Sequence, residues 1–156
     1  MNLQEKLASM GLELPPAPEP AGLYKPIVIS GTTAYVSGHG PLKSDGTYVT
    51  GRVGDDLDQE TAQAAARQTG LAILATLRRA LGTLDRVRRV VKVLGMVNCT
   101  ADFDQHPAVI NGCSQLFSDL FGPEAGVAAR SAVGVGSLPF GIPVEIEAIF
   151  EVEAQK

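Results

Sequence analysis

The chain has 156 residues, 45% of them hydrophobic, with a mean hydropathy of +0.12, and is long enough for one domain with a real core. Its net charge of −4 and pI near 5.1 argue against the electrostatic footprint of a nucleic-acid binder. No apolar stretch is long enough to span a bilayer, and the N-terminus lacks the pattern of a secretory signal, so no membrane association and a cytoplasmic location are expected.

Leu3, Leu7 and Met10 are spaced like one face of a short helix, and Gly11 follows as a stop. Pro15-Pro16-Ala17-Pro18-Glu19-Pro20 then predicts an extended, polyproline-like run. Residues 1–21 therefore read as a short helix and proline-rich extension tethered to a domain over 22–156. Segments 27–30 and 33–37 flank Gly31 and predict a hairpin, with Gly38-His39-Gly40-Pro41 ending its second strand. Residues 42–56 carry Asp45-Gly46 and two further glycines and read as turn and loop.

Asp58 can cap a helix running to about Leu81, with Glu60 in its first turn and Gly82 past its end. Its apolar face is Ala66, Gly70, Ile73, Leu74, Leu77 and Leu81. Segment 89–99 is rich in β-branched residues and apolar on both faces, as a strand covered on both sides would be. A second helix is expected from about Asp104 to Phe121, burying Val109, Ile110, Cys113, Leu116, Phe117 and Leu120. Strands over 130–136 and 144–152 close the chain, the last with Ile146, Ala148, Phe150 and Val152 inward and its glutamates outward. The order β-β-α-β-α-β-β predicts an α+β mixed sheet with both helices on one face. The other face needs a partner, which favours a homo-oligomer.

Few residues carry chemistry. Arg130 shares a strand face with Ala132, Gly134 and Gly136, which predicts room beside a guanidinium for a small carboxylate. The alternative is an arginine at a strand end paired with a nearby Glu. Cys99 and Cys113 have neither CxxC spacing nor nearby His partners, and read as buried thiols. His39 between two glycines reads as an exposed loop residue, and His106 as structural. Two isolated histidines and two separated cysteines make no metal site, and no phosphate loop leads into a helix, so no metal and no cofactor are expected.

Four segments together resemble the RidA/YjgF family of reactive-intermediate deaminases, formerly called L-PSP endoribonucleases. They are Tyr24, the run from Ala34 to Pro41, the Asn111 region, and Arg130-Ser131 through Leu138-Pro139 to Ile149. The resemblance spans about residues 22–152, and its closing part is the most specific. It implies a chorismate-mutase-like fold, a homotrimer with sites between subunits, and hydrolysis of enamines and imines such as 2-aminoacrylate to 2-keto acids and ammonia. It assigns carboxylate binding to Arg130 and the acid near a reactive water to Glu145. Tyr24, Ser37, Gly38, Asn111 and Ala132 would line the pocket, Gly38 and Ala132 through their backbone. Many members carry cysteine where Ala132 stands, and glutamine is frequent where His39 stands. The extension is also longer than in compact members. A non-catalytic trimer that binds small carboxylates is the competing reading, and a ribonuclease the third.

Overall fold

The computed structural model describes residues 1–156 and begins with α1, Leu3–Ser9. Asn2 and Glu5 form a reciprocal capping box there: the Asn2 side chain accepts from the Glu5 N–H at 2.8 Å, and the Glu5 carboxylate accepts from the Asn2 N–H at 2.9 Å. Such a short helix is marginal alone. It is held by Leu7, which is fully buried in the core, and by Lys6 Nζ donating to the Leu120 carbonyl at 3.0 Å.

Strands β1 (Ile27–Ser30) and β2 (Thr33–His39) form the hairpin, with Ser30 opposite Thr33. Helix α2 (Gln59–Leu81) starts at Asp58, whose carboxylate accepts from the Thr61 N–H at 2.8 Å, and stops at Gly82 with φ +83°. Strand β3 (Val87–Asn98), helix α3 (His106–Phe121), a single turn α4 (Pro123–Gly126), β4 (Ala129–Val135) and β5 (Val144–Val152) complete the chain. Pro123 starts α4, where its fixed φ suits the first helical position.

The sheet order is β1-β2-β5-β3-β4. Every pairing is antiparallel except β3 with β4, whose connection runs through α3. The fold is thus α+β, as expected, with α2 and α3 packed on one sheet face. β5 occupies the centre because its alternate residues Val144, Ile146, Ala148, Phe150 and Val152 are all buried. Phe117 of α3 meets Phe150 edge-on at 5.6 Å between ring centroids. The two long helices approach so closely that a Cβ on Gly112 would lie 2.0 Å from the Gln63 carbonyl oxygen. On the helix-free face Val28, Tyr35 and Val133 remain 42–50% exposed, with Leu94 and Ile149 half-buried between them. No helix is long and apolar enough to cross a membrane.

Candidate functional site

The predicted site residues fall into two groups. Tyr24, Ser37, Gly38 and Glu145 line one cavity of about 560 Å³, together with Tyr48 and Phe140. Glu145 projects from the helix-free face of β5, next to Glu147 two residues on. Gly38 lies within a register shift of β2, between Val36 and His39, where the strand bulges beside β5. The bare Cα lets the Glu145 carboxylate lie against the strand, since a Cβ would sit 2.8 Å from Glu145 Oε2 and displace it. Burial, and then the Glu147 charge, push the Glu145 carboxyl above its ordinary value of 4.5. No cation pairs with it. Ser37 Oγ donates to the Lys25 carbonyl at 2.6 Å, and Tyr24 Oη accepts from the Ala21 N–H at 3.1 Å, so both hydroxyls brace the chain that frames the cavity.

The second group surrounds Arg130. Its Nη1 donates to Asn111 Oδ1 at 2.7 Å and to Ser114 Oγ at 3.1 Å, and its Nη2 to the Pro107 carbonyl at 3.4 Å. The alternative of an ion pair with a nearby glutamate is not what forms. Asn111 and Ser114 sit three residues apart on α3, and so share one helix face toward β4. Ser114 is a contributor that sequence reasoning missed, although its i+3 spacing from Asn111 signals it. Ala132 lies two residues along β4, opposite Gly95.

These groups stand on opposite faces of the sheet. Arg130 is in register with Val93 and Ala148, whose side chains are buried under the helices. Glu145 is in register with Met96 and is odd-numbered on β5, where the even positions point to the helices. Two strand spacings and three residues along the strand separate their backbones by roughly 14 Å. Within one chain, Arg130 and Glu145 do not meet.

Three sequence expectations are corrected here. The room beside Arg130 does not extend along the strand, because at Gly134 the position of a Cβ lies 2.5 Å from His106 Nε2 and 3.0 Å from Cys99 Sγ. Cys99 therefore does have a histidine partner, with Sγ 3.4 Å from His106 Nε2, although burial pushes its thiol pKa up. His39 is not an exposed loop residue. It ends β2, is 5% exposed, and its Nδ1–H donates to the Ser37 carbonyl at 2.5 Å. A carbonyl only accepts, so Nδ1 carries the proton, and in the neutral ring that burial favours Nε2 accepts from the Thr76 hydroxyl at 2.7 Å. Desolvation lowers its pKa from 6.5, opposed by the Ser37 hydrogen bond. The ring thereby pins the bulge that carries Gly38.

Comparison with known proteins adds four findings. The family described as "YjgF/chorismate mutase-like, putative endoribonuclease" matches residues 4–142. The chain is 43% identical over 146 residues to Protein TCP17 of Trypanosoma cruzi, covering 94% of this chain and 91% of that one. It is 31% identical to a 2-iminobutanoate/2-iminopropanoate deaminase of Dermatophagoides farinae, covering 91% of this chain and 95% of the relative. Among solved structures, a protein of unknown function from Agrobacterium tumefaciens superposes with a TM-score of 0.88 at 43% identity, covering 97% of this chain and 94% of that one. That coverage leaves about five of the 156 residues outside, so most of the N-terminal extension lies within the shared span.

Proposed function

The chain belongs to the YjgF/RidA family, and from that premise we propose that it hydrolyses 2-imino acids and their enamine tautomers to 2-keto acids and ammonia. The observation that carries this reading is the unpaired, half-buried Glu145 carboxyl in a cavity, set against Gly38 and raised in pKa. A raised carboxyl is closer to the working pH, where one group can both accept and return a proton. Water adds to the imine carbon as Glu145 takes one of its protons and passes it to the imine nitrogen, giving a neutral carbinolamine. Glu145 then takes the carbinolamine hydroxyl proton and delivers it to the amino group as the C–N bond breaks, so ammonia leaves and the C=O forms.

Arg130 cannot be that base, since a guanidinium stays protonated. Its planar fork suits the substrate carboxylate, and Asn111 and Ser114 hold it in place. Because the two halves lie on opposite sheet faces, this reading joins them across copies. The protein is then a homotrimer whose subunits meet over the apolar stripe of Val28, Tyr35, Leu94, Ile149 and Val133, with Arg130 of one copy completing the cavity of the next. A nuclease is disfavoured, because Glu19, Glu145 and Glu147 all line the cavity and would repel a phosphodiester.

The test is release of ammonia and keto acid from an imine generated in situ by an amino-acid oxidase. Wild type accelerates release, and Glu145→Gln slows it by about 10²–10⁴ while 2-keto acids still bind. Equal rates with and without the protein would refute the activity. A monomer or dimer in light scattering at micromolar concentration would refute the assembly.

A further inference from the structure

The cavity that holds Glu145 is built partly by the extension that precedes the sheet. Five consecutive residues, Pro18-Glu19-Pro20-Ala21-Gly22, line it. This strap is fixed at several points. Leu7 and Pro15 are buried upstream, Arg79 of α2 grips Glu19 at 2.7 Å, and the Ala21 N–H donates to Tyr24 Oη. Proline rings limit the backbone freedom of the run itself. The strap is therefore preorganised, not a loose tail.

The volume and the lining both bear on what it would contact. A cavity of about 560 Å³ lies in the range that encloses a drug-sized ligand. A three-carbon imino acid, with about six heavy atoms, fills only part of that volume, which is the space of a single chain before a second copy brings Arg130 to it. Pro18, Pro20 and Pro139 present flat apolar rings, and Tyr24, Tyr48 and Phe140 add aromatic faces. Phe140 is the only non-glycine residue with positive φ, at +58°, and the residue, which lines the cavity, is 72% exposed. A bulky residue held in that conformation is strained, and such strain gathers at ligand clamps.

We propose that the 18–22 strap is the specificity wall of the site and that it selects 2-imino acids with bulky aromatic side chains over the three-carbon imine. The proposal rests on the deaminase reading above and names its substrate class. The carboxylate and imine stay with the reacting groups, and the aromatic side chain stacks on the proline and Phe140 surfaces.

Gly22 offers a direct test. Gly22 lines the cavity, and a Cβ there meets only the Tyr24 ring, at an ordinary contact distance of 3.8 Å, so Gly22→Leu adds bulk to the wall without a clash at its Cβ. Turnover is compared for imines made by an oxidase from phenylalanine and from alanine, alongside calorimetry with phenylpyruvate and pyruvate and a melting curve for each protein. In wild type kcat/KM favours the aromatic imine by about tenfold or more, and Gly22→Leu and Pro20→Gly each erase most of that ratio. A wild-type preference for the alanine-derived imine, or a ratio unchanged in a folded Gly22→Leu, overturns the strap as specificity wall while leaving deamination intact. Absent turnover with phenylpyruvate binding that Gly22→Leu weakens overturns deamination and keeps the wall. Neither turnover nor binding in wild type overturns both.

Discussion

The buried His39 ties folding to pH in a way that can be worked through. Its ring is neutral, shielded from solvent, and has a pKa lowered from 6.5 by desolvation. Above pH 6.5 the imidazole is largely neutral in folded and unfolded chains alike, so its contribution is fully present. Below that value the unfolded chain takes up a proton that the folded chain resists, and stability is lost as pH falls. One proton gives a limiting slope of about 1.4 kcal/mol per pH unit. Integrated from pH 6.5 to 5.5, the loss is at most about 1 kcal/mol, the limit for a folded ring that takes up no proton. In a domain of this size that is about 2–4 °C in Tm. The perturbation is His39→Gln, which keeps hydrogen-bonding atoms and cannot titrate. Urea unfolding of both proteins at pH 7.5, 6.5 and 5.5 yields a difference curve in which other titrating groups cancel. Wild type should lose stability relative to the variant across the lower interval. Parallel curves would refute the account of a neutral, desolvated ring, whatever constant offset the variant carries.

Arg130→Ala should weaken 2-keto acid binding by about 2–5 kcal/mol, roughly 30-fold to several thousand-fold, with little recovery in Arg130→Lys. Asn111→Ala, which removes one charge-assisted partner of Arg130, should cost about tenfold, and calorimetry reads both. Cys113 is fully buried and its thiol is pushed up to about 12, so Cys113→Ser should leave turnover intact and lose about 1–3 kcal/mol of stability in urea titration. Gly112→Ala should cost at least about 1–3 kcal/mol, because its methyl meets backbone of α2 that cannot rotate away, and a fall in Tm would show it.

Elements defined by periodicity were legible from the residues alone. The α2 face from Ala66 to Leu81 and the α3 stripe from Val109 to Leu120 are buried position by position, as is the inward set of β5. Local rules also located Asp58 and Gly82 at the ends of α2. What escaped was decided by pairing across the sheet. His106 stands only seven residues after Cys99, but no spacing rule pairs them, because the contact forms only once β3, β4 and the start of α3 converge. Likewise, Gly-His-Gly reads as loop until Thr76 arrives from α2 to receive the ring. Arg130 and Glu145 stood out as candidates, yet their placement on opposite faces follows from register, which a single sequence leaves open.

The side-chain-free position at Gly134 has a consequence for how sequences of this kind can change. His106 Nε2 and Cys99 Sγ already occupy the volume where a methyl at 134 would go. The three positions share one small space, so they are not free to drift one at a time. A homologue with alanine or a larger residue at the position of Gly134 should carry something shorter than histidine at that of His106. Reverting one member of such a pair alone should damage the fold, and exchanging both together should restore it. Covariation among these three alignment columns would be the evolutionary trace of a steric exclusion, with no shared chemistry needed to explain it.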